Sequence, residues 1–291
     1  MDVTLAYRAH AKINLYLDVL SKRRDGYHNI ETVFQSVGLA DELTLSERPS
    51  RISLACSIPE LDSDENLVFR AATLLRERSG CNLGAHIVLD KAIPIAAGLA
   101  GGSTDAAATL IALNHLWELG LSLADLFKLA RELGSDVPYC LIGGTVAATG
   151  RGEHLIPITP LPTTWFVLLH PKVTVSTARI YGSPKLALSP EKPFAAKTPS
   201  FRKALRALDR GDLGHVLFNR MDEPVFAAQP HLALAKQRLL DEGCIAAAMS
   251  GSGATLFGVC ESRKHANKVA EAFTDHSTSV VPTVPASVER I

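Results

Sequence analysis

Apolar and polar residues alternate strictly from His10 to Val19. Ala11, Ile13, Leu15, Leu17 and Val19 fall on one side of an extended chain, and His10, Lys12, Asn14, Tyr16 and Asp18 on the other. A period of two predicts a half-buried strand on whose polar face Lys12 and Asn14 are neighbours. Shorter apolar runs predict strands at 32–37, 42–46, 52–56 and 85–89, after a turn at 21–28 that contains Asp25-Gly26. A helix is predicted at 66–78 and another at 105–119. Leu123, Leu126, Phe127, Ala130 and Leu133 then recur at helical spacing. Ser122 stands at the cap of that helix, with Asp125 three residues on, and Gly134 predicts a left-handed end.

Residues 145–148 return to strand, and Pro157, Pro160 and Pro162 mark a boundary between units 1–160 and 161–291. In the second unit, 165–170, 255–260 and 279–284 predict strands, and 200–208, 231–241 and 263–273 predict helices. The four prolines of 183–199 predict an irregular surface excursion. Strands, then helices, then a mixed second half describe an α+β fold in two lobes.

Composition narrows the function. The 291 residues carry 30 basic and 30 acidic side chains, so no charge excess favours nucleic acid or an anionic membrane. No apolar run approaches the roughly 20 residues that span a bilayer. The N-terminus shows no leader or transit pattern, so a cytoplasmic protein is expected. Five cysteines without C-x-x-C spacing read as small buried residues in a reducing compartment. The 10 histidines show no ligand spacing, so no protein-held metal is expected. No coiled-coil repeat sets an oligomeric state.

The strongest chemical signal is the small-residue stretch from Pro94 to Ala108. Gly98, Gly101 and Gly102 allow positive φ and close approach of a ligand to the backbone. Ser103 or Thr104 is expected to cap the helix that follows. Unpaired amides and the positive dipole end there form an anion site, most often for phosphate. The stretch lacks the Gly-Lys-Ser/Thr of a Walker A loop and the G-x-G-x-x-G of a Rossmann turn. A flexible turn that merely caps a helix is the alternative, but the density of small residues and two adjacent hydroxyls favour a nucleotide.

Pro94, Gly98, Leu99, Ala100, Gly101, Gly102, Ser103 and Thr104 resemble the second motif of the superfamily of galactokinase, homoserine kinase, mevalonate kinase and phosphomevalonate kinase, the GHMP kinases. Ala96, Ala97 and Ala100 replace the glycines of richer versions and would be strained wherever that backbone needs positive φ. Ala11-Lys12-Ile13-Asn14-Leu15 resembles the first motif, Ser250-Gly251-Ser252-Gly253-Ala254 the third, and Gly134-Ser135-Asp136-Val137-Pro138 an acidic motif between them.

The resemblance spans the chain. It implies the two-lobed GHMP kinase fold, with an N-terminal ribosomal-protein-S5-domain-2-like lobe and a ferredoxin-like C-terminal lobe. It implies ATP, with Mg²⁺ carried on the phosphates and few protein ligands to it. Asn66 and the loop Pro94, Ile95, Ala96, Ala97, Gly98, Leu99, Ala100, Gly101, Gly102, Ser103 and Thr104 would bind the nucleotide. Lys12, otherwise a solvated strand lysine, would be catalytic. Asp136, otherwise a turn or cap residue, would be the general base.

Arg24-Asp25-Gly26-Tyr27-His28 and Asp64-Glu65-Asn66-Leu67-Val68 narrow the resemblance to the branch that phosphorylates 4-diphosphocytidyl-2-C-methyl-D-erythritol on the non-mevalonate isoprenoid route. That implies a small cytidyl-diphosphate acceptor phosphorylated on its 2-hydroxyl. Tyr27 would stack on the cytosine, His28 would meet its edge, and Tyr181, otherwise an ordinary half-buried aromatic, would cover the opposite face. Asn14 and Thr177 would touch the same substrate, with Asn219 a weaker candidate. Another GHMP kinase, or a non-catalytic nucleotide-binding protein on the same scaffold, remains an alternative reading.

Overall fold

The computed structural model describes residues 3–189 and 197–291. Strand β1 (Thr4–Lys22) and strand β2 (His28–Arg48) pair antiparallel along most of their length. Strand β3 (Ile52–Cys56), helix α1 (Leu67–Ser79) and strand β4 (Gly84–Asp90) follow, then helices α2 (Gly101–Leu116), α3 (Leu123–Leu133) and α4 (Val137–Cys140). Strands β5 (Thr145–Thr149) and β6 (His154–Pro157) close the first half. The central path of the first sheet runs β3-β4-β2-β1, and β5 also pairs with β2. Helices α1 to α3 cover its lower face through Val68, Leu75, Leu110, Leu113, Leu126 and Leu129, all buried.

The second half holds strand β7 (Trp165–His170), helix α5 (Thr177–Tyr181), helix α6 (Pro199–Asp209), strand β8 (Phe218–Asn219), helix α7 (Asp222–Ala228) and helix α8 (Pro230–Asp241). Strands β9 (Ala246–Met249) and β10 (Leu256–Cys260), helix α9 (Arg263–Ala272) and strands β11 (Ser277–Pro282) and β12 (Val288–Arg290) complete it. Strands β11-β7-β10-β9 form an antiparallel sheet. With α8 and α9 as its crossovers, this is a ferredoxin-like lobe. The chain returns to the first sheet twice, where β8 and β12 both pair with β1.

Several elements depart from the sequence expectation, each for a physical reason. The first strand is not half-buried: every residue from Ala9 to Val19 is buried. The second lobe covers the face that the alternation marks as polar, and register shifts after His10 and Asn14 turn Tyr16 into the interlobe core against Phe201. The strands expected at 32–37 and 42–46 are one continuous β2, because the intervening Asp41 is buried and accepts the amides of Ala92 and Ile93 at 2.7 and 2.8 Å.

Helix α2 begins at Gly101, not at 105. Its N-cap is Ala100 in a left-handed conformation with no side-chain cap bond, so neither Ser103 nor Thr104 caps it; both lie in its first turn. The capping box of Ser122 and Asp125 is present on α3. Gly134 has φ 173°, extended rather than left-handed, because the chain runs straight on into α4. Part of the excursion expected at 183–199, residues 190–196, lies outside the described residues. Its flanks are anchored: Ser189 donates to Asp18 and Thr198 to Glu31, carboxylates on facing positions of β1 and β2.

The two halves share an apolar cluster in which Ala11, Ile13, Leu15 and Tyr16 meet Phe166, Leu168, Phe201 and Phe257. Each fully buried Ile, Leu or Phe side chain among them contributes roughly 1.5–3 kcal/mol. This seam fixes the cleft between the lobes, where the three small-residue motifs meet.

Candidate active site

Three chain segments converge on Gly98. The loop that holds it docks on the third motif through Ser250 Oγ, which donates to the Gly98 carbonyl at 2.9 Å. It docks on β1 through the Lys12 amide, which donates to the Leu99 carbonyl at 3.0 Å. A Cβ on Gly98 would lie 2.1 Å from the Ser250 carbonyl oxygen, and the residue has φ +78°. Only glycine meets both demands. The third motif is held in turn by Asn219, whose Nδ2 donates to the Met249 and Gly251 carbonyls, each at 2.8 Å. Asn219 therefore positions a loop, which its sequence context did not reveal.

The loop's glycines do different work from what their number suggests. Gly101 and Gly102 are helical, and only Gly98 among the three has positive φ. Two alanines take the left-handed conformation instead, Ala96 with φ 52° and Ala100 with φ 57°. A Cβ on Gly101 would crowd Ile93 and Lys91 Nζ at 3.1 Å, so a larger residue there would need both side chains to give way. The first-turn amides of Gly101, Gly102 and Ser103 have no helical acceptor behind them. Thr104 differs: its amide donates to the Ala100 carbonyl at 2.9 Å and its side chain is fully buried. Leu99 is likewise a core residue. Both shape the loop and neither lines a cavity.

Lys12 is not a solvated strand lysine, since its side chain is 5% exposed. Its Nζ donates to Asn14 Oδ1 at 2.7 Å and to the Gly98 carbonyl at 3.2 Å, and lies 3.6 Å from Asp136 Oδ2. Asn14 is oriented by its own bond to Thr32 Oγ1 at 2.9 Å, which presents its oxygen to the lysine. Asp136 stands at the N-cap position of α4 but makes no side-chain cap bond, so its carboxylate is free to face Lys12. That carboxylate is about one third exposed, toward the cleft.

Two cavities open on either side of the loop. The larger, about 750 Å³, is lined by Lys12, Asn14, Tyr27, His28, Asp136, Thr177 and Tyr181 among others. The smaller, about 380 Å³, is lined by Asn66, Pro94, Ile95, Ala97, Gly101 and Gly102 among others. Ala96, Gly98, Ala100 and Ser103 line both. Asn66 also caps α1, accepting the Val68 amide at 2.9 Å.

At the far end of the larger cavity Tyr27 is 52% exposed, with the Arg151 guanidinium 4.6 Å from its ring centroid. The rings of His28 and Tyr181 stack on each other with centroids 4.8 Å apart. Tyr181 thus covers the imidazole in this structure. Burial and then the Lys22 charge lower the His28 pKa, which keeps the imidazole neutral and able to both donate and accept. Thr177 Oγ1 and Ser252 Oγ are 2.7 Å apart and join α5 to the third motif.

Sequence reasoning missed several residues. Lys22 and Arg151 line the larger cavity, beside Ser252 of the third motif, which the sequence did single out. Arg151 is brought there only by the β2–β5 pairing, which has no local signal. Lys91 lines the smaller cavity and is bound to both Asp41 and Asp105. Its nearness to Pro94 and the position of Asp105 just after the loop hydroxyls were the available clues.

The model for the N-terminal domain of GHMP kinases matches residues 66–144, and that for their C-terminal domain matches residues 201–277. The chain is 45% identical to a 4-diphosphocytidyl-2-C-methyl-D-erythritol kinase of Pelotomaculum thermopropionicum, over 94% of this chain and 96% of the relative. It is 44% identical to the kinase of the same name from Moorella thermoacetica, over 97% and 99%. Among solved structures, a 4-(cytidine 5'-diphospho)-2C-methyl-D-erythritol kinase superposes with a TM-score of 0.80 at 36% identity, covering 96% of this chain and 98% of that one. Homoserine kinase from Cytophaga hutchinsonii shares the fold, with a TM-score of 0.74 at 20% identity, over 99% and 97%.

Proposed function

The chain belongs to the 4-diphosphocytidyl-2-C-methyl-D-erythritol kinase family of the GHMP kinases and is a small-molecule kinase, and from that premise we propose how its own residues carry out the reaction. The reaction is transfer of the ATP γ-phosphoryl to the 2-hydroxyl of 4-diphosphocytidyl-2-C-methyl-D-erythritol. The observation that carries this reading is the pair of cavities that meet at Gly98, Ala100 and Ser103, with Lys12 and Asp136 on the larger side. A nucleotide in the smaller cavity would point its triphosphate at the first-turn amides of α2. An alcohol in the larger cavity would meet that triphosphate beside Asp136.

In this reading Asp136 accepts the hydroxyl proton as the oxygen–phosphorus bond forms and the bond to the β,γ-bridging oxygen breaks, releasing ADP. Lys12 holds its charge next to both the carboxylate and the Gly98 carbonyl, where it steadies the incoming phosphoryl oxygens. Asn14 keeps the ammonium in place. Tyr27 and His28 receive the cytosine, one by its face and the other by its edge, and Tyr181 backs the imidazole. Thr177 borders the acceptor. Among the described residues no cluster of three His, Cys, Asp or Glu side chains is placed to hold a metal. Ser103 and Asp136 line the larger cavity, and their oxygens are the protein donors that would hold a Mg²⁺ there. Such an ion would supply charge neutralisation to the phosphates.

No helix among the described residues is long and apolar enough to cross a membrane, and the five cysteines are free thiols. Both support a cytoplasmic protein whose partners are small molecules. The test is a coupled ADP-release assay with ATP and Mg²⁺, offering the cytidyl substrate, mevalonate, homoserine and galactose separately. Saturable turnover is expected with the cytidyl substrate. Turnover of one of the other three in its place would overturn the reading of the acceptor.

A further inference from the structure

One buried carboxylate gathers both ends of the loop at 94–104. Asp41 lies on β2 with its side chain 0% exposed, and among the described residues it lines neither cavity. Its Oδ1 accepts the Ala92 and Ile93 amides at 2.7 and 2.8 Å, and its Oδ2 accepts from Lys91 Nζ. The Lys91 amide is held as well, donating to Ser57 Oγ at 2.9 Å. Three successive amides are thus fixed just ahead of Pro94. The same Lys91 Nζ reaches past the loop to Asp105 Oδ2 at 2.7 Å, near the start of α2. It passes under that helix start, 3.1 Å from where a Gly101 Cβ would stand. The cluster joins positions 14 residues apart and encloses the whole loop between them. The middle of the loop is docked elsewhere, through the carbonyls of Ala97, Gly98 and Leu99, which accept from Thr255, Ser250 and Lys12.

Carbonyls turned toward the protein leave the first-turn amides of α2 as donors for a ligand. The direction of those amides follows the start of α2, which Asp105 ties to Lys91 and, through it, to Asp41. A buried ion cluster has little slack, because a charge left uncompensated there is costly. We propose that Asp41 is a positioning residue for nucleotide binding: from a place closed to any ligand it sets the entry of the loop through residues 91–93 and its exit through Lys91 and Asp105. This assignment rests on the reading that the loop holds the nucleotide. Asp41 acts at one remove, so its loss leaves the acceptor side, built by Lys12, Asn14 and Asp136, in place.

Asp41→Asn separates position from charge, because the two predict opposite signs. The substitution keeps an acceptor for the Ala92 and Ile93 amides but releases Lys91. Taking a negative charge away from an anion site would by itself tighten ATP binding. A displaced loop would weaken it. The expected result is about a 10-fold rise in the ATP Kd measured by calorimetry, the scale of one charge-assisted hydrogen bond. The acceptor KM at saturating ATP should change by less than about twofold on the same grounds. Asp41→Glu keeps the charge and moves it by one methylene, so it should weaken ATP binding too, and it takes over the test if Asp41→Asn does not fold. An unchanged or lower Kd in a folded variant would overturn the proposal. So would equal losses toward ATP and acceptor, which mark a general loosening of the fold. A wild type that does not bind ATP would instead sink the reading of the loop.

Discussion

Two buried lysines flank the loop at 94–104, and their surroundings differ in kind. Lys12 and Lys91 have side chains 5% and 4% exposed. Lys91 is clamped between Asp41 and Asp105, two carboxylates 0% and 2% exposed. Burial pulls its pKa down, but the charges of Asp105 and Asp41 outweigh that and raise it. Lys12 has one carboxylate, at 3.6 Å, and that carboxylate faces a cavity. A cation locked on both sides can only hold structure together. A cation paired loosely with an accessible acid can exchange partners when a substrate arrives. Burial alone therefore does not separate these two lysines; the accessibility of their partners does.

The sharpest test of this contrast removes the accessible acid. Asp136→Asn should lower kcat by ~10²–10⁴, the usual effect of losing a general base, while ATP affinity measured by calorimetry stays near wild type. Near-normal turnover would take Asp136 out of the mechanism.

The two lysines themselves come next. Lys91→Met leaves two buried carboxylates without their cation and should cost about 3–5 kcal/mol in urea unfolding. Lys12→Met should cost only ~1 kcal/mol or less in the same measurement, because Asp136 keeps access to water. Its effect should appear in kcat, as a loss of ~10²–10³. Equal destabilisation by the two substitutions would erase the contrast.

A smaller effect lies in pH. Burial, opposed only in part by Lys91, raises the Asp105 pKa well above 3.8. A raised carboxyl favours the folded state at low pH, and that contribution is lost as pH climbs from the unfolded value through the native one. Relative to Asp105→Asn, the wild type should therefore lose stability as pH rises through that window. Parallel stability profiles for the two proteins would show that Asp105 carries no such linkage. Thr177→Val gives the smallest change. It removes the partner of Ser252 and should raise the acceptor KM by ~5-fold with kcat retained, the scale of one neutral hydrogen bond.

The legible parts of this molecule were those whose signal is local. The capping box on α3, the loop before α2 and the strand at 52–56 all lie within a few residues of their cause. The buried second face of β1 was not legible, because the elements that cover it come from the other half of the chain. Lys12, Asn14 and Asp136 could be named from their motifs, but not the 2.7 Å bond or the exposed carboxylate that distinguish their roles. Arg151 and the Lys91 cluster depend on strand pairing over long separations, which a single sequence does not encode visibly. Gly134 shows the reverse error, a local signal overruled by where the chain must go next.

If the loop holds the nucleotide as proposed, the left-handed alanines at positions 96 and 100 have a consequence for how that nucleotide arrives. An L-residue in that conformation costs roughly 1–2 kcal/mol, which the surrounding packing must offset. In return, alanine wanders less than glycine before a ligand comes. The cradle is thereby shaped in advance, and an incoming triphosphate has less backbone freedom left to freeze.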